Sequence, residues 1–230
     1  MAYSKRFLRA RSALALGLMM VVSGAATVPA YAGVLDGGGV KKLLGNASDN
    51  ALDKLAKPGA FYADTAIRIL LPGAKGKLAA KLLKTSDKLG VTTKLTKSLN
   101  DAAGFAAQEA KPVFRSAVDG LSLADVPGIA LKNDGATEYL KKSADTELRL
   151  KVRPLIVSAL TKVGAFSQLE KMGKGGGLLS LAKLDRESLT ESVTDQTMKG
   201  IYNYMAKEEG GLRGNLLGTG KSILDAVIKK

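Results

Sequence analysis

The stretch "TKLTKSLNDAAGFAAQEAKPVFRSAV", residues 93–118, decides the fold. Leu95, Leu99, Ala102, Ala103, Ala106, Ala110, Val113, Phe114 and Ala117 recur mainly at steps of three and four, the spacing that places side chains on one face of an α-helix. Alanine on that face lets a neighbouring helix approach closely, as the inner helix of a bundle requires. Pro112 has no N–H to donate and clashes with the preceding turn, so it must kink or divide the segment.

Working outward, residues 74–89 carry Leu78, Leu82, Leu83 and Leu89 on one helical face, with Gly90 where a helix end favours glycine. A more modest helical stretch over 40–55 ends at Lys57-Pro58-Gly59. Between them runs "FYADTAIRILLPGAKGKL", residues 61–78, in which Arg68 sits inside the apolar run Ala66, Ile67, Ile69, Leu70, Leu71 until Pro72-Gly73 stops it. An extended or irregular segment packed on the bundle is expected there. A buried guanidinium needs a partner, and the expected one is an acid near the end of the 185–209 helix.

On the other side, Ser122-Leu123-Ala124-Asp125 resembles a capping box with Asp in place of Glu, and Asn133-Asp134-Gly135 is a turn signal. Helical character is expected over 136–172, broken near Ser143 and perturbed by Pro154, with Leu148, Val152, Leu155, Ile156, Ala159, Leu160 and Val163 inward. The glycine-rich 173–177 reads as a loop. Asp185 or Ser188 then caps a helix to about residue 209, Gly210-Gly211 stops it, and a last helix spans about 217–228. No alternation of period two lasts. The reading is all-α: a single irregular bundle of about six to eight helices, with no substantial sheet and no repeats.

The chain has 230 residues, of which 46% are hydrophobic and 5% aromatic, with no Trp, so the core is built from aliphatic side chains. Cysteine and histidine are both absent. Their absence removes disulfides, the usual zinc sites, His-based triads and axial haem ligation by either residue. No cofactor, metal or catalytic residue is expected. Residues 1–32 read as a cleaved signal peptide: Lys5, Arg6, Arg9 and Arg11 precede a short apolar run over 13–22, and Ala30-Tyr31-Ala32 is a small-residue cleavage site. The run is too short to span a bilayer. Residues 33–39 then form a flexible glycine-rich start, and 40–230 a single helical domain. With no cysteine after the apolar run, a lipoprotein is not expected.

Loss of the four basic residues of 1–32, which include no acidic one, lowers the net charge from +14 to +10. A soluble, basic, periplasmic protein follows. Its expected partners are anionic envelope components such as lipid headgroups or phosphorylated polysaccharide, or another periplasmic protein, and not nucleic acid. It is not expected to span the membrane.

Motifs that carry chemistry are few. "NLLGTGKS", residues 215–222, has Asn215 where a phosphate-binding loop needs glycine, no strand before it, and only eight residues after Ser222, so it reads as a loop and helix start. Glu187 and Glu191 share a helix face and read as solvated surface. "KEEGGLRGN", residues 207–215, is denser: Glu208 and Glu209 precede an expected helix end, where carboxylates oppose the helix dipole and call for a cation. Arg213 is the local candidate and Arg68 the distant one. Arg68, Glu208, Glu209, Arg213 and Asn215 therefore form the candidate ion-pair or ligand cluster.

Three stretches, "ADTAIRILLPGAKGKL", "DAAGFAAQEAKPVFRSAVDGLSLADVPGIALKNDGATEYLKKSADTELRLKVRPLI" and "LTESVTDQTMKGIYNYMAKEEGGLRGN", resemble in this order the domain-of-unknown-function family 4197. Those are exported helical proteins of Gram-negative bacteria, many of them lipoproteins by sequence. The resemblance covers about residues 40–228. This chain departs from the family in Leu70-Leu71 before Pro72, in Gly214-Asn215-Leu216, and in the missing lipobox cysteine. The resemblance implies an all-helical periplasmic domain and brings no activity with it. Non-catalytic binding or scaffolding is the leading functional reading. A hydrolase using Glu208 or Glu209 as acid or base, with Arg68 or Arg213 holding an anionic substrate, is the alternative.

Overall fold

In the computed structural model the described residues are 37–72, 91–123, 129, 132–173 and 184–228. The expected signal peptide, the leucine-faced stretch at 74–89, half of the 122–125 box and most of the 173–177 loop lie outside them. The described chain forms seven α-helices: α1 (Gly37–Leu55), α2 (Ala60–Ala63), α3 (Val91–Glu109), α4 (Lys111–Asp119), α5 (Gly135–Lys162), α6 (Ala165–Gly173) and α7 (Arg186–Ile228). The all-α reading holds, with no strand among the described residues.

The alanine face of residues 93–118 is the inner surface of the bundle. Helix α3 touches α1, α2, α4, α5, α6 and α7. Leu95, Leu99, Ala102, Ala103, Ala106, Ala107 and Ala110 along it are buried. Pro112 divides the segment as its missing N–H demands, lying in the first turn of α4, where that N–H would have no helical partner in any case. Every helix contributes to one hydrophobic cluster, with Phe61 from α2, Phe114 from α4 and Phe166 from α6 filling between the longer helices.

Helices α5 and α7 lie antiparallel along residues 137–153 of α5. Arg153 pairs with Glu187, Arg149 with Asp195, the Lys141 ammonium lies over the Tyr202 ring, and Thr137 meets Glu209. Helices α1 and α4 run antiparallel in the same way, through Lys111–Asp53 at 2.7 Å and Arg115–Asp49 at 2.5 Å.

Several boundaries differ from the sequence reading. Helix α1 begins at Gly37, so three glycines of the 33–39 segment form its first turn. Helix α5 runs unbroken through Ser143 and Pro154 to Lys162. Pro154 is exposed, and the carbonyl it leaves without a donor belongs to Leu150, 68% exposed on the same face, where solvent can reach it. The break falls instead at Gly164, whose φ of 70° is the left-handed conformation that glycine adopts without strain. Helix α7 does not stop at Gly210-Gly211 but continues to Ile228, taking in the 215–222 stretch as helix. Its start is the one read from the sequence: Ser188 N–H donates to Asp185 Oδ1 at 2.8 Å, and Asp185 N–H donates to Ser188 Oγ at 3.0 Å.

Candidate functional site

One turn of a helix separates Glu209 from Arg213, so both side chains leave α7 on the same side. They leave it into the bundle. Glu209 is 0% exposed and Arg213 7% exposed. Glu209 Oε1 accepts hydrogen bonds from Arg213 Nη2 at 2.7 Å, Arg213 Nε at 3.0 Å and the Ala136 main-chain N–H at 2.9 Å. Glu209 Oε2 accepts the Thr137 main-chain N–H at 2.8 Å and the Thr137 hydroxyl at 2.7 Å.

Ala136 and Thr137 belong to the first turn of α5, whose amides have no partner inside their own helix. The residue before that helix, Asp134, makes no side-chain capping bond. Glu209 supplies the cap from another helix, placing its negative charge at the positive end of the α5 dipole. Arg213 then neutralises the carboxylate, and its Nη2 also donates to the Ile129 carbonyl at 3.3 Å. The fit is close: a Cβ added at Gly135 would lie 2.2 Å from the Ile129 carbonyl oxygen. The expected cause of the pairing was therefore misplaced. Glu209 is held by a cation because it is buried at the start of α5, not because α7 ends beside it.

The neighbouring carboxylate points elsewhere, as a rotation of about 100° per residue requires. Glu208 pairs with Lys54 of α1. The two adjacent acids thus face different helices and make no paired-carboxylate site. Asn215 is exposed on α7 beyond Arg213.

Arg68 does not join this cluster. Its Nε donates to the Tyr62 carbonyl at 2.6 Å, and its guanidinium lies 4.9 Å from the centre of the Tyr62 ring. It makes no ion pair among the described residues; the expected contact with an acid of α7 is replaced by this local stack. The stretch around it is nevertheless non-helical over 68–71 and threaded between two helices, as the apolar run suggested. Ile67 and Ile69 are buried, and Leu70 is 59% exposed. Asn100 of α3 holds both polar groups of Ile69, accepting its N–H at 2.8 Å and donating to its carbonyl at 2.9 Å. Gln196 of α7 does the same for Leu70, at 2.9 Å in both directions. Each carboxamide imitates the edge of a strand.

Asp64 makes a second tie between this segment and α7. Its Oδ2 accepts the Tyr204 hydroxyl at 2.8 Å and its Oδ1 the Ala66 N–H at 2.9 Å. The Ala66 N–H, and then Tyr204, hold the Asp64 carboxyl below the usual carboxylate range. Burial, and then Asp64, push the Tyr204 hydroxyl up. Sequence reasoning passed over Asn100, Gln196, Asp64 and Tyr204. For Asn100 a signal existed: it lies beside Leu99 on the alanine-rich helix, where a buried amide must find polar partners.

A second polar group lies further along the α5–α7 seam. Arg149 Nε donates to Asp145 Oδ2 at 2.7 Å, and Arg149 also pairs with Asp195. Tyr202 is buried beside them, and burial first, then the Asp145 charge, push its hydroxyl well above the ordinary tyrosine range. Glu187 pairs with Arg153 and Glu191 is exposed, as expected of helix surface. Among the described residues no group of three or more acidic side chains could hold a metal ion, and no helix is long and apolar enough to cross a membrane.

The fold and this site define a helical domain in which a buried ion pair on one helix caps the start of another. Residues 36–229 match the model of the family described as "Protein of unknown function (DUF4197)", and the chain belongs to that family. No curated protein and no solved structure matches the chain.

Proposed function

We propose that the protein is exported to the periplasm and acts there as a non-catalytic binding or scaffolding protein, its basic surface facing anionic envelope components. The observation that carries this reading is the use made of Glu209. All of its hydrogen bonds go to α5 and to Arg213, and it is fully buried, so it is not presented to a substrate as an acid or base. Exposed lysines such as Lys42, Lys94, Lys142 and Lys199 lie on four different helices, α1, α3, α5 and α7, and the net charge of +14, or +10 without residues 1–32, leaves cations in excess. Such a surface attracts polyanions over about a Debye length, roughly 8 Å at physiological salt.

The test is sedimentation of the protein with vesicles containing phosphatidylglycerol, repeated from low to high salt, beside vesicles of phosphatidylcholine alone. Binding to the anionic vesicles that weakens as salt rises is the expected result. No binding at low salt overturns the electrostatic reading. Amino-terminal sequencing of the protein recovered from the periplasm tests the export, with Gly33 as the expected first residue.

A further inference from the structure

Where α1 turns into α2, the chain stands away from α3 and leaves a hollow of about 300 Å³. We infer that this hollow binds a small organic anion with an apolar body, such as an aryl or medium-chain acyl carboxylate or sulfonate. The inference goes beyond the reading of the basic surface and does not depend on it.

The walls are apolar. Ala56 and Pro58 come from the turn, Phe105 from α3 and Val163 from the end of α5, and Gly104 contributes bare backbone between them. A Cβ at Gly104 would stand 3.4 Å from the Leu55 carbonyl oxygen, so α3 passes close to the end of α1 there. Phe105 is a large aromatic left 39% exposed, which gives a planar ligand a surface to lie against. Gly59, at φ 77°, lets the chain turn so that Lys57 and Pro58 stand at the rim.

The rim is positive. Lys97 is matched by Asp101 at 3.0 Å. Lys57 is exposed and makes no ion pair among the described residues, and the Lys162 ammonium lies 4.4 Å over the Phe105 ring, likewise without an ion pair among them. Asn100 also lines the hollow, but its amide group is already bonded to Ile69 and to the Thr96 carbonyl. Lys57, a lining cation with no acidic partner among the described residues, stands beside an apolar wall, and Lys162, though not a lining residue, adds positive charge next to the Phe105 ring. The hollow therefore complements an anion, and not a cation or a sugar. The volume is at the lower end of the range of ligand sites, about 300–1,000 Å³, which limits the ligand to a small one.

The probe is 1-anilinonaphthalene-8-sulfonate, titrated into the full chain and followed by fluorescence, with displacement by octanoate. Saturation at one probe per chain is expected. Lys57→Glu and Phe105→Ala should each weaken binding by about tenfold. Leu150→Ser, which removes an exposed apolar side chain elsewhere, should leave it unchanged. Absence of saturable binding, or equal affinity in the wild type and both hollow variants, overturns the inference. If Phe105→Ala fails to fold by circular dichroism, the exposed Lys57→Glu decides alone. Vesicle sedimentation tests the basic surface separately: the Phe105→Ala and Gly104→Val proteins should sediment as the wild type does.

Discussion

Glu209 accepts the main-chain N–H of Thr137 at 2.8 Å, so a side chain of the last helix caps a helix that starts far earlier in the chain. The carboxylate is saturated from both sides, by α5 amides and by Arg213. Truncation of either member leaves the other charge buried without its partner. Glu209→Ala and Arg213→Ala should each destabilise by about 3–5 kcal/mol in urea unfolding. The double variant should lose clearly less than the sum, because the two residues act as a unit. If Glu209→Gln kept full stability, the capping role would be wrong.

Arg68→Ala should cost about 1 kcal/mol or less, since Arg68 stacks on Tyr62 in a part-exposed position and no acid depends on it among the described residues. The same denaturation series reads this. A loss comparable to that of Arg213→Ala would mean that Arg68 is held by more than the Tyr62 stack.

Asn100→Ala leaves the N–H and carbonyl of buried Ile69 without partners and should cost about 2–4 kcal/mol. Gln196→Ala removes the matching pair of bonds from Leu70, which water can reach, and should cost about 1 kcal/mol or less. The ordering of the two is the sharper measurement. Equal effects would show that the segment is not clamped more tightly on the α3 side.

Two glycines on α7 should respond in opposite directions. Gly211 meets nothing within 4 Å, and alanine there should stabilise by about 0.5–1 kcal/mol because the helix passes through that position. A Cβ at Gly200 would lie 2.8 Å from the Phe61 ring, and alanine there should destabilise by about 1–3 kcal/mol. Thermal melting of the two variants checks both signs at once.

The Asp64–Tyr204 bond should show in the pH dependence of stability. Asp64 has a lowered pKa in the folded chain, so its contribution is present above its ordinary value of 3.8 and fades as the pH falls through the lowered one. Tyr204 has a raised pKa, so its contribution is complete below its ordinary value of 10.0 and fades as the pH rises through the raised one. The stability difference between wild type and Tyr204→Phe should be largest between those limits and shrink outside them. A difference constant with pH would detach the bond from both titrations.

The core of this fold was legible because helical periodicity depends on local spacing alone. Leu95 through Phe114 and Leu148 through Leu160 face inward as their steps of three and four require. The Asp185–Ser188 cap was legible for the same reason, being contained within four residues. The end of α7 was not legible, because Gly210 and Gly211 weaken a helix by an amount that tertiary contacts on Glu209 and Arg213 outweigh. Arg213 was named as a partner for Glu209, but the acceptor role towards Ala136 and Thr137 depends on a distant helix start that no local pattern announces. Arg68 drew notice as a charge in an apolar run, whereas the polar contacts there are made by Asn100 and Gln196, placed on other helices.

The cap on α5 has a consequence in time as well as in energy. Thr137 and Glu209 are 72 residues apart. At translation rates of about 5–20 residues per second, the start of α5 leaves the ribosome roughly 4–14 s before the side chain that holds it. A nascent chain that ends before residue 209 carries an α5 whose first turn has no acceptor for its amides, and that turn frays. The first turn of α5 is therefore held only in a chain that already includes Glu209 and Arg213, and α7 acts as its clasp.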